Sequence, residues 1–273
     1  MSFPKKSFVV ETLRRAQMVE LLAKGKRPDG RSLDELRKIE IRTGLIEKAN
    51  GSAMVSLGNT QVIAGVKVDK GTPFPDTPDK GVLMVGAEVL PLAAAYVEPG
   101  PPDEGSIELA RVVDRGVRES EMIDLGSLCI KEGKYVYIIF VDVNVLNVDG
   151  NLFDATNYAV VSALLTARMP RFFMDGDTVK TTEEVVPIPA KRIPVSITIA
   201  RIGSALVLDP TSEEEAVMDA RITLSTDDDG NLCAGQKGEP GTLSSEQVME
   251  AVSLAIRRGN DVRKTIKEAT GHG

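Results

Sequence analysis

Two stretches decide the fold. The apolar run Tyr135-Val136-Tyr137-Ile138-Ile139-Phe140-Val141 opens a strand predicted over 134–146, rich in the β-branched and aromatic residues that suit a pleated surface. It leads into Asp149-Gly150-Asn151-Leu152, and a helix is expected to follow over about 157–168. Farther on, Ala220-Arg221-Ile222-Thr223-Leu224 leads into Asp229-Gly230-Asn231-Leu232, then another strand and a helix from Ser244. Asp-Gly is a common turn dipeptide, so the tetrapeptide alone carries little weight. The shared order of strand, turn and later helix is what points to a duplicated α+β unit.

Working outward, residues 9–24 read as a helix, with Leu13, Val19 and Leu22 among charges and a stop at Gly25 and Pro28. Segments 52–57 and 61–68 alternate around Gly58-Asn59, the pattern of a hairpin. Residues 82–90 form a further strand candidate, and 71–80, with three prolines, is a loop. Pro99-Gly100-Pro101-Pro102-Asp103 breaks the chain again, leaving Asp103 or Ser106 to cap a helix that runs to about Glu121. Segment 175–192 is polar and contains proline, so a linker is expected there. Glycines 235, 238 and 241 lack the spacing of a nucleotide-binding loop and read as a flexible connection. Beyond it, Ser244 with Gln247 three residues later makes a capping box. Val248, Val252, Ala255, Val262 and Ile266 then continue a helical stripe. The expected organisation is an N-terminal helical extension (1–30), a first half (31–174), the linker, and a second half (193–273).

Composition narrows the chemistry. The chain has 273 residues, 42% hydrophobic and 27% charged, and a formal net charge of −7. Such length can bury a sizeable core without disulfides or metals. The acidity argues against a protein built only to coat nucleic acid. One histidine, His272, is the penultimate residue, which excludes two-histidine metal motifs and nearly excludes a Ser-His-Asp triad. Cys129 and Cys233 form no Cys-x-x-Cys site and read as buried thiols of a reducing compartment. The N-terminus, Met1-Ser2-Phe3-Pro4-Lys5-Lys6, lacks the apolar run of a signal peptide, and no segment is long and apolar enough to span a bilayer, so a cytoplasmic protein is expected.

Two clusters could carry chemistry. On the helix starting near Glu104, Arg111, Arg115 and Arg118 fall within roughly 60° at about 100° per residue, opposite Leu109, Val112, Val113, Gly116 and Val117. Guanidinium groups suit phosphate because they donate two parallel hydrogen bonds. The blander alternative is a solvated face with the pairs Asp114–Arg118 and Arg115–Glu119, and spacing alone does not displace it. The second cluster is Asp209, Glu213, Glu214, Glu215 and Asp219. Convergent carboxylates could hold Mg²⁺ or act as a general acid, but Asp-Pro-Thr-Ser-Glu-Glu-Glu is also the composition of an exposed turn, which sequence statistics favour.

With these segments in hand, the chain resembles the RNase PH family over nearly its whole length. Arg27-Pro28-Asp29-Gly30-Arg31 is similar to the family's N-terminal signature, and Gly51-Ser52-Ala53 with Gly58-Asn59-Thr60 to its first hairpin. The stretch from Glu98 to Glu104, then Ile107 to Arg115, resembles the inactive ring subunits of archaeal exosomes. The resemblance implies an α+β, RNase PH-like fold (ribosomal protein S5 domain 2-like) with two pseudo-equivalent β-sheet/helix halves. It also implies a hexameric ring, a trimer of heterodimers with a catalytic RNase PH-like paralogue. Cap subunits carrying S1/KH or zinc-ribbon modules, and single-stranded RNA, are the further implied partners.

In active members of the family, phosphate attacks the terminal phosphodiester of RNA. That chemistry uses a Gly-Thr/Ser-Arg turn and two aspartates six residues apart. Here the turn reads Gly150-Asn151-Leu152 and the acidic pair reads Asp209 and Glu215, so the arginine is missing and one carboxylate is moved by a methylene. The resemblance therefore implies a non-catalytic subunit that binds RNA phosphates through Arg111 and Arg115. Magnesium and inorganic phosphate are expected at the partner's site, and no cofactor in this chain. The competing expectation is an active homohexameric phosphorylase using Asp209 and Glu215.

Overall fold

The computed structural model describes residues 8–272, with side chains from Leu13 onward; the hexapeptide Met1–Lys6 lies outside the described residues. The chain begins with helix α1 (Phe8–Ala23), followed by strands β1 (Ile39–Thr43), β2 (Gly51–Leu57), β3 (Thr60–Gly71) and β4 (Val82–Val89). Helix α2 (Glu104–Glu119), strands β5 (Cys129–Lys131) and β6 (Tyr135–Asn147) and helix α3 (Leu152–Thr166) complete the first half. A hairpin, β7 (Arg168–Asp175) and β8 (Thr178–Pro187), comes next. The second half comprises β9 (Val195–Ile202), β10 (Ala205–Leu208), the single turn α4 (Ser212–Glu215), β11 (Ala220–Thr226), β12 (Leu232–Gly238) and α5 (Ser245–Thr270).

Each half has its own sheet. The first runs β1-β2-β3-β6-β4, with β5 added to β6; β4 is parallel to β6 and the other neighbours are antiparallel. The second is an antiparallel sheet of order β10-β9-β11-β12. Strand β6 earns its central place by alternation: Tyr137, Ile139, Val141, Val143 and Val145 are all buried.

Helix α3 lies between the sheets, and every residue from Leu152 to Leu165 is buried. A helix apolar nearly all round needs such a two-sided slot. Its few polar groups are matched to β9. Asp154 accepts from the Thr198 backbone at 2.9 Å and its hydroxyl at 2.7 Å, Asn157 accepts from the Ser196 amide at 2.9 Å, and the Tyr158 hydroxyl donates to the Ser196 carbonyl at 3.1 Å. The core is thus one continuous body crossing both halves, apart from a small cluster where Met18 and Leu22 of α1 meet Ile202, Val207 and Val217.

Several sequence expectations change. Helix α3 starts at Leu152, directly after the turn, because Gly150 and Asn151 take left-handed backbone (φ 78° and 51°) and redirect the chain at once. The second Asp-Gly-Asn-Leu sits in a different place, closing the β11–β12 hairpin around Asp227, whose carboxylate accepts from the Asp229 and Asn231 amides. The two halves echo each other as sheet followed by helix, while the tetrapeptides are not equivalent. Most of the expected linker is strand β8, because Thr178–Pro187 pairs with β7.

The glycine-rich connection is largely strand β12. Gly238 is small because a side chain there would meet the Arg221 guanidinium, 2.5 Å from where a Cβ would lie. Both cysteines are free but only half-buried. Among the described residues, no helix is long and apolar enough to cross a membrane.

Candidate functional site

Helix α2 positions the arginine stripe. Asp103 caps it, its carboxylate accepting from the Ser106 amide at 2.8 Å. Leu109, Val112, Val113, Gly116 and Val117 are buried as the angular pattern predicts, so the opposite face must be solvated. On that face the three arginines separate into two kinds. Arg118 is bound down: it donates to Asp114 at 2.7 Å and to the Leu83 carbonyl at 2.8 Å. Arg111 and Arg115 are exposed and, among the described residues, have neither hydrogen-bond nor ion-pair partner. The expected Arg115–Glu119 pair does not form. Both free guanidiniums line a groove of about 350 Å³ between α2 and β12, together with Ile107 and Gln236.

The acidic cluster is organised differently, and it is not an exposed turn. Asp209 and Glu214 are wholly buried. Arg27 holds Glu214 with two hydrogen bonds, 2.8 and 2.6 Å, and donates to the Leu208 and Asp209 carbonyls, at 2.8 and 2.9 Å. Asp209, itself at φ 50°, accepts from Arg37 through the backbone amide, Nε and Nη2 at 2.9, 2.9 and 2.7 Å. It also accepts from Arg31 at 3.0 Å and from the Asn151 side chain at 2.7 Å. Asp219 is taken by Arg15 and Arg201. The Arg27–Arg31 signature therefore staples the N-terminal segment to the 209–215 loop.

The turn before α3 packs directly on this loop. A Cβ at Gly150 would come within 2.5 Å of the Pro210 carbonyl oxygen, so only glycine fits there. The Asn151 amide N–H, which opens the α3 N-terminus, donates to the Glu215 carboxylate at 2.8 Å. Helix N-termini attract anions, and here the anion is the chain's own. Leu152 is buried against Leu109, Val148 and Phe153 in a cleft of about 220 Å³. At the cleft's rim Arg221 lies over Phe153, 4.1 Å from the ring centre, and is paired to Glu108 at 2.8 Å.

Protonation follows from these contacts. Burial pushes the Glu215 carboxyl up to about 7, offset only in part by the Asn151 amide and by Arg221 and Arg37. Burial likewise pushes Asp154 up to about 7 against hydrogen bonds from Asn151 and Thr198. Asp209 is buried as well, but the hydrogen bonds and charge of Arg37 outweigh burial and hold it below its ordinary range. This donor set does not fit a magnesium ion. Both oxygens of Asp209 are already bound to cations, Glu214 is held by Arg27, Glu215 by a backbone amide and Asp219 by Arg15 and Arg201, while Glu213 is exposed to solvent.

The models for domains 1 and 2 of the 3′ exoribonuclease family, RNase PH, match residues 35–170 and 192–258. The chain belongs to the RNase PH family. Among curated RNase PH relatives, the exosome complex component Rrp42 of Thermococcus gammatolerans is 48% identical over 265 residues, covering 96% of this chain and 97% of that protein. The Rrp42 of Methanopyrus kandleri is also 48% identical, over 93% of this chain and 96% of its own length. Among solved structures, a chain of the Archaeoglobus fulgidus exosome with RNA bound to the active site superposes with a TM-score of 0.87 at 43% identity, covering 95% of this chain and 100% of that one. Rice Rrp46, at 19% identity and a TM-score of 0.69, shares the RNase PH fold.

Sequence reasoning located Arg111, Arg115, the altered turn and the acidic pair. It missed Arg37, the main partner of Asp209, which sits in no motif. Its only signal is position, two residues ahead of the strand that carries it to the loop. It also missed that Asn151 bridges Asp154 and Asp209, at 2.8 and 2.7 Å.

Proposed function

We propose that the chain is a non-catalytic ring subunit of an archaeal RNA exosome. It scaffolds a catalytic RNase PH-like paralogue, helps to shape that partner's active site, and presents Arg111 and Arg115 to RNA phosphates during 3′-to-5′ phosphorolysis. The observation that carries the reading is the state of the chain's own pocket. Phosphorolysis brings two anions together, so it requires cations aimed at the incoming phosphate. At the α3 N-terminus, Leu152 replaces the guanidinium, and the Glu215 carboxylate occupies the amide that an anion would need. Asp209, the other member of the acidic pair, is buried among Arg37, Arg31 and Asn151 and has no access to a substrate. These contacts count equally against an active homohexamer.

The free arginines supply the positive half of the argument. Two unpaired guanidiniums on one helix face, four residues and ~6 Å apart along the axis, suit successive contacts with a phosphate backbone. The partner would supply the phosphate site, the catalytic aspartates and magnesium. Cap subunits and a cytoplasmic location belong to the same reading. Isolated chain incubated with oligo(A), Mg²⁺ and phosphate is expected to release no ADP, whereas the ring reconstituted with the catalytic paralogue is expected to release it. ADP from the isolated chain would overturn the proposal.

A further inference from the structure

The groove that holds Arg111 and Arg115 has an opposite wall, and Gln236 forms it. We infer that the Gln236 carboxamide reads the ribose 2′-hydroxyl of the bound strand, so that this chain favours RNA over DNA as well as gripping phosphate. The inference rests on the proposed RNA-binding role of the two arginines and adds a second kind of contact to it.

Three observations carry it. First, Gln236 pairs with Thr223 across β11 and β12, and Thr223 is buried on the side of the sheet that α2 approaches, so the pairing turns Gln236 toward α2. Second, its amide is nearly unengaged: Nε2 reaches only the Lys237 carbonyl, at 3.5 Å, the outer limit of a hydrogen bond. The carboxamide oxygen has no partner among the described residues. Third, the groove is polarised. Along α2, Arg111 and Arg115 stand toward one end, with Glu104 and the Arg221-paired Glu108 toward the other, so phosphates are drawn to the arginines and repelled from the acidic end. A strand held by its phosphates on α2 would bring its sugars within reach of the β12 wall.

The chemistry fits the group. A 2′-hydroxyl donates and accepts, and a carboxamide offers both an acceptor oxygen and two donor hydrogens. A lysine or glutamate in that place would respond chiefly to backbone charge; a neutral amide carries no net charge and can match the hydroxyl as both donor and acceptor. Ile107, half exposed on the same groove, adds an apolar edge against which a sugar can rest.

The test uses the reconstituted ring, without phosphate so that the strand is not degraded. Fluorescence anisotropy compares oligo(A) RNA with the matching oligo(dA) across a salt series. Gln236→Ala is expected to weaken RNA binding about five-fold, the size of one neutral hydrogen bond. DNA binding and the slope of log Kd against log salt are expected to stay as they were. Gln236→Met, which keeps the volume without the amide, is expected to match it, and serves if the alanine ring fails to assemble. An unchanged RNA-to-DNA ratio in both variants, or equal weakening of RNA and DNA, would overturn the inference. The double variant Arg111→Ala with Arg115→Ala tests the underlying reading separately: a reduced salt slope there, with no effect at Gln236, leaves the arginine role standing and removes only the amide contact.

Discussion

Arginine works in two opposite ways in this molecule. Around the 209–215 loop, Arg27, Arg31 and Arg37 are buried or nearly so, and each is bound to an internal carboxylate. On α2, Arg111 and Arg115 have no partner among the described residues and line an open groove. The same side chain is structural where the protein provides its counter-ion and available for a ligand where it does not. This difference separates a cluster whose charges are satisfied within the chain from a surface whose charge is open to a ligand, in a chain whose net charge is −7.

The largest effect expected from breaking that contrast lies on the buried side. Arg27→Met leaves Glu214 charged and uncompensated in the core, and should cost about 3–5 kcal/mol of stability, read from the denaturant midpoint. Replacing both partners, Arg27→Met with Glu214→Leu, should recover much of that loss. On the open side, Arg111→Ala with Arg115→Ala should leave stability nearly unchanged. In the ring it should lower RNA affinity about ten-fold or more at physiological salt and reduce the salt slope by about 1.4, since each single-strand phosphate contact contributes about 0.7. An unchanged slope would place RNA elsewhere.

A subtler test concerns pH. The folded chain holds the Glu215 carboxyl at about 7, against an ordinary value of 4.5. Between those values the folded state binds a proton that the unfolded chain has released, so stability falls as pH rises from about 4.5 to 7 and levels off above. Asp154 contributes in the same direction. Asp209, held below its ordinary range, acts in the opposite sense, but only at more acid pH. Glu215→Gln should therefore flatten, without abolishing, the decline in thermal midpoint measured from pH 5 to 8. The smallest effect belongs to Arg118, which pairs Asp114 at a largely solvated site. Arg118→Ala should change stability by no more than about 1 kcal/mol and leave the RNA salt slope as it was.

Much of the fold was legible because it rests on local periodicity. The alternation around Gly58-Asn59, the cap at Asp103 and the Ser244–Gln247 box all appear where their spacing placed them. Segments whose structure depends on distant partners were misread. Residues 178–187 look like a polar linker because their partner strand, not their own burial pattern, makes them β. Gly235 and Gly238 look like a loose loop because their strand character comes from pairing with β11, and the crowding at Gly238 comes from Arg221 on that strand. Likewise, Asp-Pro-Thr-Ser-Glu-Glu-Glu reads as a surface turn until Arg27 and Arg37 arrive from more than 170 residues away to neutralise it.

The candidate site divides along the same line. The spacing of the arginines on one helix face was legible in the sequence from helical geometry, and comparison of its motifs with the RNase PH family marked the arginine missing after Gly150-Asn151 and Glu215 in the acidic pair with Asp209. Tertiary structure alone decided which arginines are free, that Glu215 caps the helix where an anion would bind, and that Gln236 stands across the groove from Arg111 and Arg115. Whether a charge is available depends on the groups within a few ångströms of it, and chain separation carries no record of that distance.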